Sequence, residues 1–178
     1  MATYKKGFKK QSSEQVLLKV ILGVIVAVLV LVAIVFIYDI SSKWKNYSNY
    51  TEITEYANII DFTNGEEEPL EDYIVYFYST NCEYCAEVKE DVLKLGTKIN
   101  RGMDQFFIVN TAEVTDAADE YEGFVSELDA VYDELLTNIL TPSIAIFVDG
   151  ELYDYIIGSD VLDALESIQE GTYEPFND

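Results

Sequence analysis

The feature that most limits how this chain can fold is a run without a single charge from Val20 to Tyr38. At 1.5 Å per residue, roughly 19 helical residues reach about 28 Å, close to the ~30 Å hydrocarbon core of a bilayer. A cleaved signal sequence is the rival reading. Its apolar region is usually about 7 to 15 residues long and ends at small side chains, whereas Ile34-Val35-Phe36-Ile37-Tyr38 stays bulky to the end. The run therefore predicts an uncleaved anchor over 16–38, and the rest of the chain leaves room for one ordinary globular domain.

Charge is distributed unevenly about this run. Up to Tyr38, Lys5, Lys6, Lys9, Lys10 and Lys19 stand against Glu14 alone, and almost all of the acidic residues behind the net charge of -22 come later. Basic residues near the ends of a span set its orientation, and only Lys43 and Lys45 follow closely, so 1–15 is expected as a basic cytoplasmic tail. The remainder is then extracytoplasmic, at the cell membrane, where paired cysteines persist as disulfides. Lys19 can snorkel to the inner surface, and Tyr38, Trp44 and Tyr47 suit the outer interface. So acidic a surface repels nucleic acid, which is excluded as a partner.

Residues 39–52 are polar and read as a stalk. Ile53, Ala57 and Ile60 recur at helical spacing and predict a helix over Ile53–Phe62. After a loop at Asn64-Gly65, Tyr73 to Tyr78 is an aromatic and β-branched run that predicts a buried strand. Val88, Val92, Leu95 and Ile99 then mark one helix face, and Phe106 to Val109 a second strand, which together make a strand-helix-strand unit with parallel strands. Tyr121, Phe124, Val125, Leu128, Tyr132, Leu135 and Ile139 mark a further helical stretch, acidic on its other face and broken near Gly123. Asp149-Gly150 joins Ser143–Val148 to Leu152–Ile157 as an antiparallel hairpin. Ser159 is placed as the N-cap of a last helix carrying Val161, Leu162, Leu165 and Ile168. The domain is expected over 53–170, with a helical insertion at about 112–140 and a C-terminal tail over 171–178.

Cys82-Glu83-Tyr84-Cys85 falls where the first strand gives way to a helix. A cysteine at a helix N-terminus faces free backbone amides and the positive end of the dipole, which favour its thiolate. The three-residue spacing lets Cys85 resolve a mixed disulfide formed at Cys82. A structural disulfide is the bland alternative. Structural zinc wants four ligands drawn mainly from Cys and His, and the chain has two Cys and no His.

The order strand, CxxC at a helix start, strand, Thr-Pro, strand, Asp-Gly hairpin and final helix resembles the thioredoxin family over about Ile53 to Ile168. The resemblance implies an α/β fold, a thioredoxin-like mixed four-stranded sheet flanked by helices, here preceded by one transmembrane helix. It implies a cis Pro142 beside Cys82, with Thr141 offering backbone atoms to an extended substrate. The sequence departs from the usual motif, with Asn81 where the family has Trp and Glu83-Tyr84 where it has Gly-Pro. The position of the family's buried carboxylate falls on Tyr76. Glu83, held between the cysteines, is the candidate proton shuttle, and Tyr84, Tyr78 and Phe124 are candidate walls of a peptide groove. A similar Cys-Glu-x-Cys occurs in membrane-tethered thioredoxin relatives that act as extracytoplasmic reductants, which leans the reading toward a reductant.

The expected function is thiol-disulfide exchange on extracytoplasmic proteins, an oxidoreductase activity with no metal or other cofactor. Its expected partners are protein thiols and disulfides, the membrane through one N-terminal helix, and a membrane thiol donor or oxidant that resets the pair. The alternative is a non-catalytic accessory domain of a membrane complex, with a fixed disulfide.

Overall fold

The computed structural model describes residues 13–43, 45–65, 68–103, 105–114, 118–132 and 135–176. The basic tail as far as residue 12, and Trp44, lie outside them. The chain divides into an N-terminal unit ending at Ser41 and a second unit from Ser42 onward. In the first, helix α1 (Ser13–Lys43) includes a stretch, Ser13–Asp39, long and apolar enough to cross a membrane. Its Val, Leu and Ile side chains point outward on every side.

The second unit is built on strand β1 (Tyr73–Tyr78), whose six side chains are all buried. Alternation sends Tyr73, Val75 and Phe77 to one face of the sheet and Ile74, Tyr76 and Tyr78 to the other. Both faces are apolar, so both must be covered. Helix α2 (Glu83–Met103) crosses to β2 (Phe106–Asn110), which pairs with β1 in parallel. On the other side β1 pairs antiparallel with β3 (Ser143–Val148), and β3 with β4 (Glu151–Ile157), giving the order β2-β1-β3-β4. Val88, Val92, Leu95 and Ile99 of α2 cover one face with Val161, Ala164 and Leu165 of α4 (Asp160–Gln169). Phe124, Val125 and Leu128 of α3 (Ala118–Val131) cover the other.

Local chemistry fixes the joins. A Cβ on Gly96 would sit 2.5 Å from the buried ring of Phe106, so only glycine lets α2 lie this close to β2. The Asn100 side chain accepts from Phe106 N at 2.7 Å and donates to Phe106 O at 3.2 Å, closing the turn between them. Asp149 and Gly150 both have positive φ, 54° and 77°, the backbone that a two-residue hairpin of type I′ requires.

Four local expectations are corrected. Ile53–Phe62 contains only a short 3-10 turn, Tyr56–Asn58. The backbone before it is engaged elsewhere: Ile53 N donates to Ile108 O at 2.9 Å and Ile108 N to Thr51 O at 3.1 Å. This holds the chain extended beside β2, so that Ile53, Tyr56 and Ile59 are buried while Ala57 is exposed. Second, the expected stalk packs onto the globular unit from Tyr47. That ring, expected at the membrane interface, stacks on Tyr78 at 3.7 Å, with Lys89 Nζ 4.4 Å from its centroid. The Tyr50 hydroxyl bonds Leu93 O and Thr97 Oγ1 of α2.

Third, α3 runs unbroken through Gly123 but ends at Val131, and residues 135–142 are not helical. Asp129 Oδ1 accepts Leu136 N at 2.6 Å and the Tyr121 hydroxyl accepts Ile139 N at 3.1 Å. These side chains take the amides that a continuing helix would use, so Leu136 is buried and Leu135 is left 87% exposed. Fourth, Ser159 stands at the expected N-cap position of α4 but has helical φ and ψ and makes no side-chain cap; its hydroxyl donates to Asp160 Oδ1 at 3.2 Å.

Tyrosines carry much of this core, and burial pushes several of their phenols up. Tyr73, which donates to Ile59 O at 2.7 Å, and Tyr155 are each raised to about 12, chiefly by desolvation. Tyr76 and Tyr78 are raised further by burial and by neighbouring phenols and carboxylates. Between the unfolded pKa near 10 and the folded values, the native state holds more protons than the unfolded chain, so stability falls as pH rises through that window. We expect the urea midpoint to be level from about pH 7 to 9 and to drop steadily from about pH 10 to 12, as tyrosinate absorbance rises. A midpoint that stays level to pH 12 would contradict this account.

Candidate redox site

The strand-to-helix turn after β1 is fixed by its own backbone. Cys82 N donates to Ser79 O at 3.1 Å and Asn81 N to Ser79 Oγ at 3.3 Å. This sets Cys82 immediately before the first turn of α2, where amides lack intrahelical partners. Cys85 N donates to Cys82 Sγ at 3.0 Å, so the sulfur itself serves as a helix cap. Cys82 and Cys85 form a disulfide with an S–S distance of 2.17 Å and Cα atoms 5.2 Å apart. Cys85 is only 1% exposed, packed with Val88, Ile144 and Val161 in the core on that face, whereas Cys82 is half-buried at its edge.

The second wall is the segment leading into β3. The Thr141-Pro142 peptide is cis, and Thr141 O lies 3.4 Å from Cys82 Sγ. The disulfide sulfur has no proton, so this is a close approach; a thiol at the same place could donate to that carbonyl. Pro142 O accepts Gly158 N at 2.8 Å. Just upstream, Leu140 N donates to the buried Tyr155 hydroxyl at 3.2 Å and Leu140 O accepts from Ser143 Oγ at 2.6 Å. With Ile139 N on the Tyr121 hydroxyl, two of the three residues before the proline, Ile139 and Leu140, are tied to side chains from α3, β3 and β4.

The structure thus brings Cys82, Cys85, Thr141 and Pro142 together. Glu83 and Tyr84 occupy the first turn of α2, both exposed, and among the described residues Glu83 makes no hydrogen bond to either sulfur. Tyr78 is not a groove wall: it is 4% exposed, because it points to the α2 face of the sheet and Tyr47 covers it. Phe124 is likewise buried, under the opposite face. Tyr76, at the position of the carboxylate that the resemblance would require, is fully buried, and its hydroxyl has no hydrogen-bond partner among the described residues. Burial, with Tyr47 and Tyr78 nearby, keeps it a neutral phenol far above its ordinary range. No group of three or more His, Cys, Asp or Glu side chains is placed to hold a metal ion among the described residues.

Sequence reasoning missed Leu140, Tyr155 and Ser143 as parts of this site. Tyr155 carried a faint signal, a polar-tipped ring at an inward position of β4. The backbone partner that explains it lies 15 residues away, beyond the reach of any local pattern.

The mixed β2-β1-β3-β4 sheet, the disulfide at the head of α2 and the cis-proline entering β3 define a thioredoxin-like fold. No protein-family model matches the chain, and neither does any curated protein. Solved structures with a similar fold include oxidised mitochondrial thioredoxin 3 from Saccharomyces cerevisiae, at 22% identity and TM-score 0.45 over 70% of this chain and 97% of that one. Thioredoxin from Trypanosoma brucei brucei is similar at 14% identity and TM-score 0.44 over 70% and 92%. Oxidised thioredoxin O2 from Arabidopsis thaliana is similar at 18% identity and TM-score 0.43 over 70% and 94%.

Proposed function

We propose that this protein is a membrane-tethered thiol-disulfide oxidoreductase that works on extracytoplasmic proteins through Cys82 and Cys85. The observation that carries the reading is the contrast between the two sulfurs. Cys82 is reachable, capped by the Cys85 amide and flanked by the Thr141 carbonyl, while Cys85 is sealed behind it. In the dithiol form, the amide and the helix end stabilise the Cys82 thiolate. That thiolate attacks a substrate disulfide, whose S–S bond breaks as a mixed disulfide forms and one substrate thiolate leaves. The Cys85 thiolate then attacks Cys82 Sγ, forming the intramolecular disulfide and releasing the second substrate thiol, so that two electrons pass to the substrate. A separate membrane thiol donor restores the dithiol.

The apolar α1 stretch and the basic residues ahead of it support a cytoplasmic N-terminus and an extracytoplasmic domain. We read the direction as reduction, because Glu83, exposed beside the pair, disfavours the thiolate. A carboxylate ~6 Å away costs it roughly 0.7 to 2.8 kcal/mol for effective ε between 80 and 20.

Insulin reduction by the parent is expected to vanish in Cys82→Ser, and Cys85→Ser is expected to accumulate mixed disulfides; equal rates in parent and Cys82→Ser would refute the activity. The potential of the pair is expected nearer -270 than -120 mV, and Glu83→Gln is expected to raise it by about 15 to 60 mV. An unchanged potential in that variant would remove Glu83 from the account. A membrane-impermeant maleimide is expected to label the reduced protein on intact cells, and labelling only after lysis would reverse the assigned orientation.

A further inference from the structure

The core under α2 and α4 does not close at the end of the sheet away from the disulfide. A cleft of about 640 Å³ opens there, at the start of β1 and the end of β3, with apolar walls that include Ile74, Ile99, Ile168 and Phe176. Ile74 and Ile99 are buried members of the core on that face, so core side chains form its floor. Its outer wall is the chain after α4. Gly171, at φ 67°, turns that chain back, with Gly171 N on Ile168 O at 3.0 Å and Thr172 N on Ser167 O at 2.9 Å. The Tyr173 hydroxyl then donates to Asp154 Oδ2 of β4 at 2.5 Å, and Phe176 N to Tyr173 O at 2.9 Å. The expected C-terminal tail, as far as Phe176, is thus a pinned wall.

Charge at this cleft has one sign. Asp72, Asp149 and Glu170 line it, and among the described residues no lysine or arginine does; the ammonium of Lys98 is bonded to Gln169 Oε1 at 3.0 Å. We propose that the cleft docks a basic segment of a partner protein in which an aliphatic or aromatic side chain sits beside lysine or arginine. The apolar side chain enters between Ile74, Ile99 and Phe176, and the cation meets the carboxylates. The cleft is open to solvent along one side, which suits a segment that runs on past it, whereas a small ligand is held where most of its surface is buried. A second copy of this chain would bring a net charge of -22 to the same carboxylates and is repelled. The disulfide lies beyond the other end of β1, so a partner held here leaves Cys82 uncovered.

The test titrates the full chain in a nonionic detergent with three short fluorescent peptides free of cysteine: phenylalanine between lysines, serine between lysines, and phenylalanine between glutamates. The first is expected to bind about tenfold more tightly than the second, and the third not to bind. Asp149→Asn with Glu170→Gln is expected to weaken the first peptide about three- to tenfold; asparagine tolerates the positive φ at 149. Phe176→Ser is expected to weaken it by a similar factor. Glu122→Gln with Glu127→Gln, which removes two exposed carboxylates of α3 under the opposite face of the sheet, is expected to change nothing. Equal losses from the two charge-removing pairs would reduce the effect to diffuse attraction and overturn the proposal, as would failure of the first peptide to bind. Saturating peptide is expected to leave maleimide labelling of Cys82 in the reduced protein at its parental rate; protection of that thiol would put the peptide at the redox site and overturn the cleft. Dimers that form without peptide and vanish in Phe176→Ser would seat a second copy there and likewise overturn it. Should Phe176→Ser not fold, the two charge-removing pairs decide the matter between them.

Discussion

Strand β1 is buried on both faces, and that constraint organises the globular unit. Three of its side chains demand cover from α2 and α4, the other three from α3 and the chain around Tyr56. The chain meets the demand by crossing once through α2 to a parallel neighbour and once through α3 to an antiparallel one. Covering both faces leaves the strand's ends as the places where chemistry can be exposed. At its C-terminal end the turn at Ser79 feeds the free amides of α2, and Cys82 stands there with its sulfur as the cap.

Aromatic rings take part in this arrangement in a way that couples core and site. Tyr47, Tyr78 and Tyr76 stack in succession on the α2 face, while Tyr121 and Tyr155 reach from the other face to the backbone ahead of the proline. The Tyr76 hydroxyl is buried beside the Tyr47 phenol, with no hydrogen bond of normal geometry among the described residues. Its place in the core that also holds Cys85 sets this site apart from one with an ionisable carboxylate there, since a phenol so far raised stays neutral at working pH.

The architecture was legible where local pattern and tertiary demand agree. The apolar run before Tyr38, the periodicity of α2, the β1 run and the positive-φ turn at Asp149-Gly150 all obey rules that act over a few residues. The CxxC and Thr-Pro pair were legible through resemblance. Legibility failed where a distant partner overrode the local signal. Ile53 and Thr51 pair with Ile108, more than fifty residues on, and that bond decides against the helix that Ile53, Ala57 and Ile60 suggested. Tyr47 looked like an interfacial ring because it comes soon after a helix long and apolar enough to cross a membrane, yet its stacking partner is Tyr78. Tyr78 in turn was misjudged as accessible because nothing in a strand's own sequence says which face a cover will come from. Leu140 had no signal at all, since its exposure is a product of three hydrogen bonds made by other elements.

The unequal access to the two sulfurs has a kinetic consequence. With Cys85 closed off behind its partner, the exchange proposed above has every electron donor and acceptor dock at the same atom, whether it delivers electrons or takes them away. Donor and acceptor therefore exclude one another, and turnover alternates between two half-reactions that share a single doorway. Each partner then saturates only its own half-reaction, and the flux through the domain is set by the slower of the two.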